Sequence, residues 1–229
     1  MVRKRVSAPF PRSELSVATG YFVDGCGSGE IAIDFDDVPS GYVWSFPRSD
    51  HFAVGACGQA DCSTPAALLA RTVRWIERQL PRASMRRYSW PIPSLGLAAL
   101  MSEQPAGSKW MLVGDAAGLV DPITREGIYF ALLSGDLAAA SLVGSGAAAR
   151  YTAALRSSVY EELQRAARLK ARFFKPELLA LLVHALNRSR RVRDIMADLV
   201  SGRQSYLGLR RRLLSTLELR LMFDLFSRT

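Results

Sequence analysis

Met111-Leu112-Val113-Gly114-Asp115-Ala116-Ala117-Gly118-Leu119-Val120-Asp121-Pro122-Ile123-Thr124-Arg125-Glu126-Gly127-Ile128 is the stretch from which the fold is read. Its apolar opening predicts a short strand ending at Gly114-Asp115. A loop of small residues, a turn carrying Pro122 and a helix entered through Glu126-Gly127 follow. The run from Ile128 to Ala140 supplies that helix. A strand feeding a helix through Gly, Ala and Asp brings backbone N–H groups to the helix N-terminus, where the dipole favours an anion or an electron-rich group. An Asp at the strand end can accept hydrogen bonds from sugar or sugar-alcohol hydroxyls. An ordinary tight β–α connection has the same outline.

Upstream, Glu14–Gly20, Tyr21–Val23, Ile31–Phe35, Tyr42–Phe46 and Phe52–Cys57 read as short strands separated by turn clusters, which predicts an antiparallel sheet. The glycines between 25 and 29 do not form a dinucleotide loop, because no helical pattern follows them. Thr64 and Pro65 read as the N-cap and first turn of a helix reaching Pro81, with Leu68, Leu69, Thr72, Trp75, Ile76 and Leu80 at helical period. Arg86–Trp90 reads as extended again.

Downstream, Gly144-Ser145-Gly146 ends or breaks the motif helix. Helices are expected over Tyr160–Phe174, Glu177–Leu186, Val192–Val200 and Leu207–Phe226. In the last, Leu209, Leu213, Leu217 and Leu221 form a packing face, while Arg210, Arg211, Arg212 and Arg220 turn outward. The fold class is α+β: a sheet domain over 1–109, a strand–loop–helix segment over 110–148 and a helical region over 149–229.

The chain of 229 residues is 49% hydrophobic and 22% charged, the balance of a globular protein. No apolar run approaches the ~18 residues of a spanning helix, and the basic start Val2-Arg3-Lys4-Arg5 has no apolar stretch behind it. From Arg150 onward there are 17 Lys/Arg against 7 Asp/Glu, a net of +10, which leaves −1 for the first 149 residues. That basic third lacks a nucleic-acid motif, so no nucleic acid is expected. Solvated helix faces, an anionic lipid surface or a diphosphate head group all fit it. Cys26, Cys57 and Cys62 are odd in number and lack metal or redox spacing, and the reading is free thiols in a reducing cytoplasm. No metal site is expected.

On a strand, Tyr42, Trp44 and Phe46 share one face, which is either sheet core or a wall for a flat, greasy ligand. His51 and His184 read as structural or exposed.

The wording of two stretches resembles one family. G-D-A-A-G-x-x-D-P-x-x-x-E-G-I is similar to the second flavin-binding motif of FAD-dependent oxidoreductases built like aromatic hydroxylases. P-x-x-Y-x-W-x-F-P, from Pro39 to Pro47, is similar to the substrate-pocket motif of the geranylgeranyl reductases among them. Val54-Gly55-Ala56-Cys57-Gly58 and the stretch Met196–Gly202 with Tyr206 extend the likeness. It implies an antiparallel substrate-domain sheet, a strand–loop–helix remnant of a Rossmann-like FAD domain, and a helical C-terminal region. Gly114, Asp115, Ala116 and Gly118 would hold the ribityl or pyrophosphate region. Asp121, Pro122, Glu126, Gly127 and Ile128 would line the ring, and Tyr42, Trp44, Phe46 and Pro47 the substrate. Arg125 departs from the family, whose members usually have Gly there.

The chemistry implied is hydride transfer from reduced flavin to a carbon–carbon double bond of a prenyl or other hydrophobic substrate, with NAD(P)H or another external electron donor. A cytoplasmic protein, peripheral to a membrane where its substrate is a lipid, is expected. No residue declares itself the proton donor, although Tyr42 is a candidate by position. A flavin-dependent monooxygenase or halogenase is the alternative enzyme, the W-x-W-x-I-P of halogenases being partly echoed by Tyr42–Pro47. A non-catalytic lipid- or partner-binding remnant is the third reading. A G-x-G-x-x-G βαβ unit for the ADP half of FAD is absent from the sequence. The FAD site is therefore expected to be incomplete in this chain, which reads as a fragment, as one partner of a separate N-terminal polypeptide, or as a remnant.

Overall fold

The computed structural model describes residues 2–25, 29–35, 40–80 and 84–216. It forms two compact units, Pro9–Ser94 and Met1–Ala8 with Leu95–Thr229. The sheet segment thus ends at Ser94, where the sequence reading put its boundary at 109, and the segments 110–148 and 149–229 share one unit.

In the first unit, β1 (Leu15–Asp24), β2 (Ala32–Asp34), β3 (Tyr42–Pro47), β4 (His51–Gln59) and β5 (Met85–Pro93) make an antiparallel sheet in the order β2-β3-β4-β1-β5. The two runs expected over 14–23 are a single strand, β1, with Gly20 inside it opposite Gly55. Helix α1 (Pro65–Gln79) begins as its sequence dictates, with Thr64 Oγ1 accepting the Ala67 N–H at 3.2 Å and Pro65 in the first turn. It buries Leu68 and Ile76 against Val23, Val43, Phe52, Val54 and Ala56. The opposite sheet face carries Tyr42, Ala18 and Cys57, with Phe35, Trp44 and Ile92 half-buried around them. Both faces of β4 are covered, so from Phe52 to Gln59 it is buried throughout.

The second unit contains α2 (Leu97–Ser102) and a short hairpin, β6 (Ala106–Gly107) with β7 (Trp110–Met111). The strand expected to reach Gly114 stops at Met111. The Leu112 N–H donates to the Pro105 carbonyl at 2.8 Å, and the Leu112 carbonyl accepts the Tyr151 hydroxyl at 2.7 Å. A tyrosine and a hairpin thus take the groups that a longer ladder would use.

A 3₁₀ turn (Gly114–Ala117) and the loop to Gly127 lead into α3 (Ile128–Ser141). The glycine break expected at 144–146 is present, closed by the Arg150 guanidinium on the carbonyls of Ser141, Val143 and Gly144. Helix α4 (Ala147–Leu155) continues through a π-turn (Arg156–Tyr160) into α5 (Glu161–Phe173), so the helix expected from Tyr160 runs back to Ala147.

Then come α6 (Pro176–Arg188), α7 (Arg190–Val200) and α8 (Tyr206–Ser215). Ile195, Leu199 and Leu209 form a small core with Leu213 against it. The parts of the reading that rest on Cys26, Gly27, Ser28, Asp36, Asp37, Pro39, Pro81, Leu217, Arg220, Leu221 and Phe226 lie outside the described residues. Among the described residues no helix is long and apolar enough to cross a membrane.

Candidate functional site

The motif turn is built mostly from backbone. Gly114 has φ +51° and is buried, and its N–H donates to Ser134 Oγ at 3.0 Å. A Cβ there would stand 2.9 Å from the Ala131 Cβ, so glycine serves both the left-handed conformation and the close approach of α3. Gly118, at φ +72°, closes the 3₁₀ turn by donating to the Asp115 carbonyl. The Ala116 carbonyl accepts from Arg3 at 3.2 Å; the same guanidinium grips Glu103 with two bonds of 2.8 and 3.0 Å.

Asp115 is exposed as a residue, yet desolvation by its surroundings raises its carboxyl pKa above the ordinary value, partly offset by a backbone hydrogen bond. A Cβ on Gly127 would lie 3.2 Å from Asp115 Oδ1. The absence of that side chain leaves the carboxylate beside the N-terminus of α3. Glu126 Oε1 accepts the Tyr129 N–H at 2.9 Å and so caps the first turn.

Asp121 is buried and scaffolds the loop. Its Oδ1 accepts the N–H groups of Ile123 (2.7 Å) and Thr124 (2.9 Å), and its Oδ2 accepts the Tyr206 hydroxyl at 2.7 Å. Burial, and then the Asp121 carboxylate, push the Tyr206 phenol pKa upward. The Tyr206 N–H donates to Glu162 Oε1. Asp121, Thr124, Glu126, Ser158, Glu162 and Tyr206 meet around a cavity of about 230 Å³ whose other wall includes Leu133 and Leu199. Pro122 is buried and Ile128 is exposed.

Arg125 takes φ +59°, the left-handed conformation that glycine adopts without strain. Its side chain is buried: a guanidinium N–H donates to the Ile123 carbonyl at 2.7 Å, and the group stacks 5.1 Å above the Phe174 ring. The turn keeps the backbone a glycine would give it.

The aromatic face of the first unit is a separate arrangement. Tyr42, Trp44 and Phe46 stand in a row, with ring centroids 6.0 Å and then 6.2 Å apart. Pro47 ends the strand, half-buried. Across the sheet, Trp44 lies opposite Gly55, Gly55 opposite Gly20, and Gly20 opposite Tyr88. A Cβ on Gly55 would come within 2.5 Å of the Trp44 ring and 2.7 Å of the Tyr88 hydroxyl. Both rings therefore lie over a trough that the two glycines open. The Tyr88 hydroxyl reaches the Val54 carbonyl at 3.3 Å, and desolvation pushes its pKa up to about 12.

Tyr88 completes this face, and sequence reasoning did not single it out; the signal was a glycine inside each of two strand patterns. Cys57 is buried and Cys62 exposed; the latter donates to Asp61. Among the described residues no group of three His, Cys, Asp or Glu side chains converges to hold a metal.

The chain is 35% identical over 136 residues to menaquinone reductase of Mycolicibacterium smegmatis, covering 55% of this chain and 31% of that one. It is 38% identical over 112 residues to digeranylgeranylglycerophospholipid reductase of Methanothrix thermoacetophila, covering 47% and 28%. The chloroplastic geranylgeranyl diphosphate reductase of Arabidopsis thaliana is 37% identical over 115 residues, covering 50% of this chain and 24% of the relative. About half of this chain is thus similar in sequence to geranylgeranyl reductases.

No family model matches it. It spans less than a third of the length of these three relatives. Its fold matches a geranylgeranyl bacteriochlorophyll reductase-like protein from Thermoplasma acidophilum at a TM-score of 0.67 and 20% identity, over 79% of this chain and 49% of that one. A flavin-dependent brominase matches at 0.62 and 19%, over 94% and 56%. Those two likenesses concern the fold alone.

Proposed function

We propose that this chain carries the ring-proximal and substrate-facing parts of an FAD-dependent reductase acting on the carbon–carbon double bonds of a prenyl or other hydrophobic substrate. The observation that carries the reading is the Asp115–Gly127 pair. A carboxylate stands at the surface beside a helix N-terminus, where a Cβ at 127 would crowd it at 3.2 Å. That arrangement fits a flavin's ribityl chain, whose hydroxyls donate to a carboxylate. Reduced flavin, when bound, supplies the hydride.

The residues of this chain supply position and dryness. Asp115 would accept from the ribityl hydroxyls, and the stretch Glu126–Ile128 would stand beside the ring. Asp121, pinned by Tyr206, holds the loop between them in one conformation. The Trp44–Tyr88 face offers flat apolar surface to an isoprenoid and excludes water from it. NAD(P)H or another donor would have to reduce the flavin, and another polypeptide stretch would have to hold its adenine end.

Titration of the chain with FAD, FMN and riboflavin, followed by flavin fluorescence, tests the site. The three are expected to bind with similar, weak affinity, and Asp115→Ala to weaken all of them by about tenfold, one charge-assisted hydrogen bond. Failure of Asp115→Ala to change riboflavin binding would remove the assignment. Anaerobic turnover of a geranylgeranyl lipid, with the adenine-binding part present, tests the reaction. Product that requires oxygen would support a monooxygenase instead.

A further inference from the structure

Helix α6 (Pro176–Arg188) is unlike its neighbours. Its sequence, Pro-Glu-Leu-Leu-Ala-Leu-Leu-Val-His-Ala-Leu-Asn-Arg, contains six large aliphatic residues, yet none of its residues is buried. By contrast α7, with fewer aliphatics, buries Val192, Ile195 and Leu199. Leu178, Leu179, Leu182, Val183 and Leu186 fall within one stripe about 140° wide at 100° per residue. Leu178 is exposed and the other four are half-buried, and the apolar surface this stripe leaves open is unfavourable in water and is best completed by an apolar medium.

The surroundings identify that medium. Arg172 and Lys175 precede the helix, and Arg188, Arg190, Arg191 and Arg193 end or follow it; all six are exposed. Between residues 172 and 193 the only acidic residue is Glu177. Among the described residues none of the six basic groups joins an ion pair. A protein partner would have to match both a greasy stripe and basic clusters at its two ends. An anionic bilayer matches both at once, acyl chains taking the stripe and head groups the cations. At 13 residues the helix is too short to span and suited to lying in the interface.

We infer that α6 is an interfacial helix that docks this protein on an anionic lipid surface. The inference does not depend on the reading of the flavin site, since docking is measured without flavin or substrate.

The test is co-sedimentation with vesicles of phosphatidylcholine alone and of phosphatidylcholine containing phosphatidylglycerol. Binding is expected to the anionic vesicles and to fall with added salt. Arg188→Gln with Arg190→Gln and Arg191→Gln should weaken it on the order of 100-fold, at roughly fivefold for each basic residue near the surface. Leu178→Gln with Leu182→Gln should weaken it about tenfold or more. Leu178, Arg188, Arg190 and Arg191 are exposed and Leu182 is half-buried, so unchanged circular dichroism is expected for both variants, with at most a small fall in melting temperature for the leucine pair.

Absence of binding to anionic vesicles would overturn the inference. So would equal binding to both vesicle types, or binding that the leucine pair does not affect. Self-association abolished by the leucine pair, without vesicle binding, would assign the face to a second copy and overturn it too.

Discussion

Around Gly114–Gly127 polar contacts of the backbone hold the structure, whereas across β3, β4, β1 and β5 side chains lean over two residues that have none. In the turn, Gly114, Gly118 and Asp121 fix the path through N–H and carbonyl groups within a dozen residues of one another. In the sheet, Trp44 and Tyr88 come from strands that are not neighbours and meet over Gly55 and Gly20. The turn is a local object and leaves a linear signature. The trough is a register, and no short stretch of sequence contains it.

The largest expected effect breaks the sheet side of that comparison. A Cβ on Gly20 would lie 2.1 Å from the Val54 carbonyl oxygen and 2.5 Å from the Gly55 Cα, both backbone atoms that cannot step aside. Gly20→Val is therefore expected to destabilise the 9–94 unit by about 3 kcal/mol or more. Denaturant unfolding followed by tryptophan fluorescence would read it. A variant as stable as the parent would show that the rings do not rest on these glycines.

Gly114→Ala is next. It sets a methyl group 2.9 Å from the Ala131 Cβ and holds alanine at φ +51°, for a loss of about 2–4 kcal/mol from crowding and left-handed strain together. Thermal unfolding of the second unit is the measurement. Because Gly114 is tied to α3 through Ser134, Ser134→Ala should lower stability by a smaller amount, about 1 kcal/mol.

Arg125 sharpens the comparison, being a long side chain at a left-handed position of the turn. Arg125→Ala keeps the left-handed strain and loses the bond to Ile123 and the stacking on Phe174, for about 1–2 kcal/mol. Arg125→Gly loses the same contacts but relieves strain of about 1–2 kcal/mol, so it should be more stable than the alanine variant. Equal stability of the two would mean that the φ of +59° carries no strain.

Much of this was legible in the sequence. The strands, α1 with its Thr64 cap and the break at 144–146 follow from period, caps and glycines. Asp115 and Gly127 were legible because a motif states backbone geometry in residue types. Three features were not. The strand leading into Gly114 ends early because Tyr151, 39 residues on, takes its carbonyl. Arg3 reads as part of a basic start, but its ion pair spans 100 residues to Glu103. Tyr88 lies in a plain extended stretch, and only its partner across β1 gives it meaning. Each is a side chain acting at long range, where period and local wording carry nothing.

The smallest effect is at Asp115, where the proposed flavin contact opposes stability. Desolvation raises this carboxyl's pKa, so the folded protein holds the proton more tightly than the unfolded chain does. Its contribution to stability is full below the ordinary carboxylate pKa of 3.8, declines as pH rises through the raised value, and stays lost at neutral pH. Asp115→Asn, which cannot ionise, is therefore expected to melt slightly above the parent at pH 7 and level with it near pH 3. The same variant should bind riboflavin more weakly, since an amide oxygen accepts a hydroxyl less strongly than a carboxylate does. Parallel melting curves at pH 3 and pH 7, with a riboflavin titration, separate the two effects. A core carboxylate would lose stability on this change at pH 7; a ligand-facing one gives up binding and keeps its fold.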